Sequence, residues 1–141
     1  MIQNFINDLC DILKISTPAI SYDTSNFPTT TMMAQLSPSG KTLYLRRYDE
    51  PNADQFFSIA HELRHAWQIQ NDKQFYFSTY KPVNLMSSIE EYNLQIAEID
   101  ANAFAYIVMV DFFGMKPLFH GLSDNVKSRI LDRVEYLKRV L

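Results

Sequence analysis

The residues with the clearest chemical meaning in this chain form one short run, Ala60-His61-Glu62-Leu63-Arg64-His65-Ala66. If the run is helical, His61 and His65 lie one turn apart on the same face and can bind one zinc ion through their imidazoles. Glu62 would lie about 100° around the helix, near the ion without binding it, where it can accept a proton from a reacting water. The spacing therefore predicts a metalloprotease with Glu62 as its general base.

The flanking sequence favours a helix over about Asp54 to Gln70. Pro51-Asn52 is a start signal, Asp54 suits the first turn, and no Gly or Pro interrupts the run. Its apolar residues recur at helical spacing and predict a face that packs in the core: Phe56, Ile59, Ala60, Leu63 and Trp67. A purely structural helix, with both histidines satisfied by hydrogen bonds, is the alternative.

Two histidines need a third protein ligand to make a catalytic zinc site. The metzincin motif would place Gly and His where this chain has Gln68 and Asn71, so that class is excluded. His120, the remaining histidine, stands near a Gly/Pro-marked break, where a solvated or packing role is the usual one.

Glu98 is the better candidate for the third ligand. It shares one helical face with Ala101, Asn102 and Ala105, and small residues let two helices approach closely enough for a glutamate to reach a metal on its neighbour. The alternatives are that Glu98 is one more exposed charge, or that Asp100 is the ligand. Asp100 points about 200° away from Glu98, so the two cannot bind the same ion.

Together, His61-Glu62-Leu63-Arg64-His65 and the later run from Glu98 to Ala105 resemble the ImmA/IrrE (M78, former DUF955) family of zinc metallopeptidases. In that family a glutamate before an Ala-Asn-x-Phe-Ala run marks the third ligand, which corresponds to Glu98. The resemblance covers about Asp54 to Met109 and implies a gluzincin-like, zincin-type fold. Family members cleave helix-turn-helix repressors, so the resemblance implies that substrate class as well.

These inferences give one expected mechanism. His61, His65 and Glu98 hold one Zn²⁺ per chain, Glu62 is catalytic, and Asn102 orients a ligand. The aromatic stretch Phe75–Asn84 roofs the cleft, and Tyr76 or Tyr80 stabilises the oxyanion, unless these tyrosines only pack. An inactive zinc-binding scaffold that acts as a protein-interaction module is the alternative function.

Composition is consistent with such an enzyme. The 141 residues suffice for one domain with its own core, and a net charge of −3 gives no general attraction to nucleic acid or to membranes. Cys10 is the only cysteine, so no disulfide forms within the chain, and it is expected to be buried. No secretion signal or membrane span is recognisable, which predicts a cytoplasmic protein with protein or peptide substrates.

The remaining patterns predict an α+β domain, in which a small twisted sheet or hairpin accompanies the two motif helices and flanking amphipathic helices. The predicted elements are a helix over Ile2–Ile15, strands over Thr29–Leu36 and Lys41–Tyr48, a helix from Ser87 or Ser88 to about Phe113, and a helix from Ser123 to Leu141. By resemblance, Lys41–Tyr48 is the candidate for an edge strand that pairs with extended substrate. An ordinary half-buried strand is the alternative.

Overall fold

The computed structural model describes residues 1–141 and confirms the α+β class. Its α-helices are α1 (Ile2–Leu13), α2 (Ala53–Thr79), α3 (Ile89–Asn93), α4 (Ile96–Phe113) and α5 (Asp124–Val140). Its strands are β1 (Ala19–Ser21), β2 (Ala34–Leu36) and β3 (Thr42–Leu45), and a 3-10 turn covers Val83–Leu85. None of the helices combines the length and the apolar character needed to cross a membrane.

Helices α2 and α4 pack against each other at the centre of the fold. Ala101 and Ala105 are fully buried on the face of α4 that also carries Glu98, and their short side chains allow a close approach to α2. Helix α1 covers α2 and α5 covers α4, and each buries one apolar face in the same core. Cys10 belongs to this core, as predicted. The packing fixes the face of α4 that meets the two histidines.

The sheet has the order β1-β3-β2, with β1 parallel and β2 antiparallel to β3. The prediction that Lys41–Tyr48 is an edge strand was therefore wrong, because β3 is the central strand and pairs on both sides. Strand β2 is the edge that lies against α2. Pairing of β3 with β1 needs a contact distant in sequence, and no hairpin turn signals it.

Strand β2 is shorter than the predicted run over Thr29–Leu36. The Thr29 hydroxyl accepts a hydrogen bond from the backbone N–H of Met32, and the Arg46 guanidinium donates to the carbonyls of Thr29 and Met32. These side chains occupy backbone groups that a longer strand would pair with its neighbour. The segment before β2 therefore bends away from the sheet.

Helix α2 begins as predicted, with the Asn52 side chain accepting a hydrogen bond from the N–H of Gln55, but it continues past Gln70 to Thr79. It kinks at Asp72, whose backbone is not helical (φ −151°, ψ 72°). The Asp72 carboxylate accepts a hydrogen bond from the N–H of Phe75 at 3.1 Å and so starts the helix again. The first residues of the predicted roof are therefore helical.

The predicted helix from Ser87 or Ser88 to Phe113 is divided into α3 and α4. Ser88 caps α3 as expected, and Gly114 ends α4 in a left-handed conformation (φ 64°). The division lies at Gln95, whose backbone is extended and whose side chain bonds both the N–H and the carbonyl of Lys81, at 2.7 and 2.9 Å. Gln95 thus bonds to a residue that is distant in sequence, and the helix is interrupted there.

Candidate metal centre

His61 and His65 lie one turn apart on α2 and direct the same ring nitrogen to one point. Their Nε2 atoms are 3.1 Å apart. His65 is buried and His61 is partly buried, with about a fifth of its side chain open to the cleft. The helical register therefore gives the two imidazoles the convergence expected from their spacing.

Glu98 completes the group from the first turn of α4. Its Oε2 atom lies 2.9 Å from Nε2 of His61 and 3.4 Å from Nε2 of His65, and the residue is 2% exposed. One potential ligand atom from each of the three residues lies within 4.8 Å of the others. His61, His65 and Glu98 form a possible metal-binding triad.

The opposite ring nitrogen of each histidine is held by an amide. Nδ1 of His61 lies 2.7 Å from Oδ1 of Asn102, and Nδ1 of His65 lies 2.8 Å from Oε1 of Gln68. The Gln68 orientation is fixed, because its Nε2 atom donates to the Ala97 carbonyl and to Asp100. An amide oxygen only accepts, so each Nδ1 carries a hydrogen and each Nε2 is the ring atom that faces Glu98, where it can bind a proton or, once deprotonated, a metal ion.

This donor set fits zinc. A tetrahedral ion with bonds of about 2.0–2.1 Å keeps its ligand atoms about 3.3 Å apart, and the three separations here are 2.9, 3.1 and 3.4 Å. Two imidazoles and one carboxylate suit zinc better than magnesium or calcium, which prefer shells of oxygen. Three protein ligands also leave one position for a reactant.

The electrostatics of the triad favour a cation. Burial alone would raise the pKa of Glu98, but the facing imidazoles outweigh it and hold that pKa well below its usual range. Burial alone would lower the pKa of His65, but the Glu98 carboxylate raises it to about 9. A buried carboxylate therefore stabilises positive charge at this point, which a proton or a metal ion can supply.

Glu62 lies beside the triad on the wall of an open cleft of about 440 Å³. Burial raises the pKa of its carboxyl, although the two histidines and the backbone N–H of Leu36 partly oppose the shift. A carboxyl with a raised pKa is a better proton acceptor than an ordinary surface glutamate. Gln35 and Leu36 of β2 line the opposite wall.

A second hollow of about 480 Å³ adjoins the cleft on the side of Asn102. Met32, His61 and Glu62 line both hollows, so the motif lies where they meet. The two hollows border β2 and the residues that precede it. Space for an extended chain is therefore available on both sides of Glu62.

Asp100, the alternative ligand, belongs to a buried charge cluster behind the triad. Its carboxylate accepts hydrogen bonds from Arg64 at 2.7 and 3.2 Å and from Arg133 of α5. Burial would raise the pKa of Asp100, but these partners lower it. Gln68 joins the cluster to His65, so Asp100 supports the triad indirectly while Glu98 faces the histidines.

The tyrosines of the aromatic stretch line the cleft, but their hydroxyls differ in their hydrogen bonds. The ring of Tyr76 packs against His65 and stacks on Tyr80. Tyr80 and Tyr92 join hydroxyls at 3.0 Å, and the Tyr92 hydroxyl donates to Oε1 of Glu98. Because Tyr92 has one proton and an ionised carboxylate only accepts, Tyr80 donates to Tyr92. The Tyr80 proton is therefore directed at Tyr92 in this arrangement.

Sequence reasoning missed Tyr92 and the support that Gln68 gives to His65. Gln68 lies one turn after His65, so the helical spacing could have predicted their contact. Tyr92 reaches Glu98 only because the helix is interrupted at Gln95. His120 is exposed in the loop after α4 and is not part of the triad.

Comparison of the chain with protein-family models, curated proteins and solved structures gives no match. The functional conclusion consequently depends on the residues and geometry of the candidate metal centre.

Proposed function

We propose that this protein is a zinc-dependent endopeptidase. The observation that carries the proposal is the convergence of three potential ligand atoms, from His61, His65 and Glu98, beside the Glu62 carboxylate in an open cleft. A structural role for the histidines would be satisfied by hydrogen bonds to Asn102 and Gln68 alone. It would not require a buried third acceptor within 3.4 Å of both rings.

The triad would hold the metal and Glu62 would move the proton. Bound zinc would act as a Lewis acid that makes water reactive near neutral pH and polarises a peptide carbonyl. Glu62 would accept the proton of the attacking water and deliver it to the leaving amine as the C–N bond breaks. Tyr76 remains a candidate donor to the oxyanion, and Tyr80 could act there only by releasing Tyr92.

The outer edge of β2 supports a peptide as the substrate. Met33 and Ser37 use their backbone groups to pair with the β3 side of the sheet, so the alternate groups of Ala34 and Leu36 face away from β3. Of these, the Leu36 N–H faces Glu62, which leaves the Ala34 groups and the Leu36 carbonyl for pairing with another chain. An extended chain could add to this edge across the motif, with side chains in the two hollows. By resemblance, an unfolded or exposed segment of a helix-turn-helix repressor is the substrate class to test first.

The proposal is tested by comparing Glu62→Gln with Glu98→Gln. We expect the wild type and Glu62→Gln to bind about one zinc per chain, and Glu98→Gln to bind it much more weakly. Against peptide libraries and repressor domains, Glu62→Gln should lose at least about 10²-fold in kcat/KM. Glu90→Gln, an exposed charge in the first turn of α3, is the matched control.

The outcomes separate the candidate functions. Wild-type protein that binds zinc and cleaves neither the libraries nor the repressor domains would favour the zinc-binding scaffold. Wild-type protein that binds no zinc after reconstitution would refute both metal-dependent functions.

A further inference from the structure

The two carboxylate oxygens of Glu98 have different partners. Oε2 faces both imidazoles, at 2.9 and 3.4 Å. Oε1 points away from them and accepts the hydrogen bond from Tyr92. Oε1 therefore has a hydrogen-bond donor outside the triad, whereas Oε2 faces only the two histidines.

Tyr92 is anchored independently of Glu98. It lies on α3, and its hydroxyl oxygen accepts from Tyr80, whose ring stacks on Tyr76 at a centroid distance of 5.1 Å. The Gln95 side chain, three residues later, fixes the junction of α3 and α4 to the backbone of Lys81. These contacts keep the Tyr92 hydroxyl directed at Glu98 from outside the triad.

We propose that Tyr92 is a positioning residue that limits Glu98 to one metal-binding oxygen. A carboxylate can bind a metal through one oxygen or through both, and the second mode would raise the coordination number. A hydrogen bond to Oε1 competes with that mode, which keeps the fourth position of a tetrahedral site for a reactant. This inference depends on the metal site of the proposed function.

The test uses the full-length chain loaded with Co²⁺, whose visible absorption is strong in four-coordinate sites and weaker at higher coordination numbers. We expect Tyr92→Phe to lower the absorption about twofold or more and to weaken Zn²⁺ binding about 10-fold. Tyr80→Phe, which removes the donor to Tyr92, should change both quantities in the same direction by less. Chelator competition measures Zn²⁺ affinity, and circular dichroism verifies folding.

Tyr106→Phe is the matched control for these measurements. Tyr106 lies on α4 with Glu98 but outside the cleft, its ring stacks on Phe119, and its hydroxyl makes no hydrogen bond to another residue, so the Co²⁺ spectrum should be unchanged. A wild-type spectrum in folded Tyr92→Phe would overturn the positioning role and leave the metal site standing. If Tyr92→Phe does not fold, an unchanged spectrum in Tyr80→Phe would overturn it instead. Failure of the wild type to bind Co²⁺ or Zn²⁺ would overturn the metal site itself.

Discussion

Replacing Asp100 with alanine should lower the free energy of unfolding by about 3–5 kcal/mol, because it leaves a buried arginine without its counter-charge. Arg64 and Asp100 are each 3% exposed. Arg64 makes two hydrogen bonds to this carboxylate, and its guanidinium otherwise stacks on Trp67 at 3.7 Å. Because Arg64 is itself buried, its guanidinium would stay largely desolvated after the carboxylate is lost.

Two further variants test whether the uncompensated charge of Arg64 causes this loss of stability. Arg133→Ala removes the other arginine from Asp100, but the Arg133 side chain is 34% exposed, so the loss should be about 1 kcal/mol or less. The double variant Arg64→Met with Asp100→Leu leaves no fully buried charge in this cluster and should recover most of the stability lost by Asp100→Ala. The magnitude thus follows from the uncompensated charge and not from the number of bonds removed.

Urea unfolding followed by circular dichroism measures these differences, with EDTA present so that metal binding does not add to stability. If Asp100→Ala costs less than about 1 kcal/mol, or no more than Arg133→Ala, the cluster is not a desolvated ion pair and the prediction is refuted.

Three further variants test single contacts. Gly40→Ala should lose about 1–2 kcal/mol of unfolding free energy in the same urea assay, since Gly40 has φ +76° and an added Cβ would lie 3.0 Å from Ile69; an unchanged midpoint would contradict this. Asn102→Ala should weaken Zn²⁺ binding about 10–100-fold by chelator competition, and Asn102→Asp, which keeps an acceptor, should retain most of the affinity. Ser123→Ala should lower the free energy of unfolding by about 1 kcal/mol, because it removes the N-cap of α5, whereas Ser128→Ala within the exposed face of α5 should not.

The triad could be predicted because the patterns that indicate it each lie within one short stretch of sequence. His61 and His65 lie one turn apart on a helix whose start signal at Asn52 acts as expected, and Glu98 is marked by the small residues on its face of α4. Periodicity of 3.6 residues identifies such faces without knowledge of the tertiary structure. The α+β class and the caps of α3 and α5 depend on signals of the same kind.

The features that sequence reasoning missed depend on contacts distant in sequence. The pairing of β1 with β3 makes β3 central, and only the tertiary contact of Gln95 with Lys81 reveals the break between α3 and α4. Neither contact has a local pattern. The Tyr92 contact with Glu98 depends on that break, so it could not be read from spacing.

The kink at Asp72 divides α2 into two parts that line different sides of the cleft. Residues before it, His61 and His65, lie on the floor of the cleft, and residues after it, Tyr76 and Phe77, contribute to a wall. A change of angle at Asp72 would move that wall relative to β2 and leave the spacing of His61 and His65 as it is. The breadth of the cleft, and with it the bulk of side chain that it admits, can therefore change by substitution at Asp72 while His61, His65 and Glu98 stay the same.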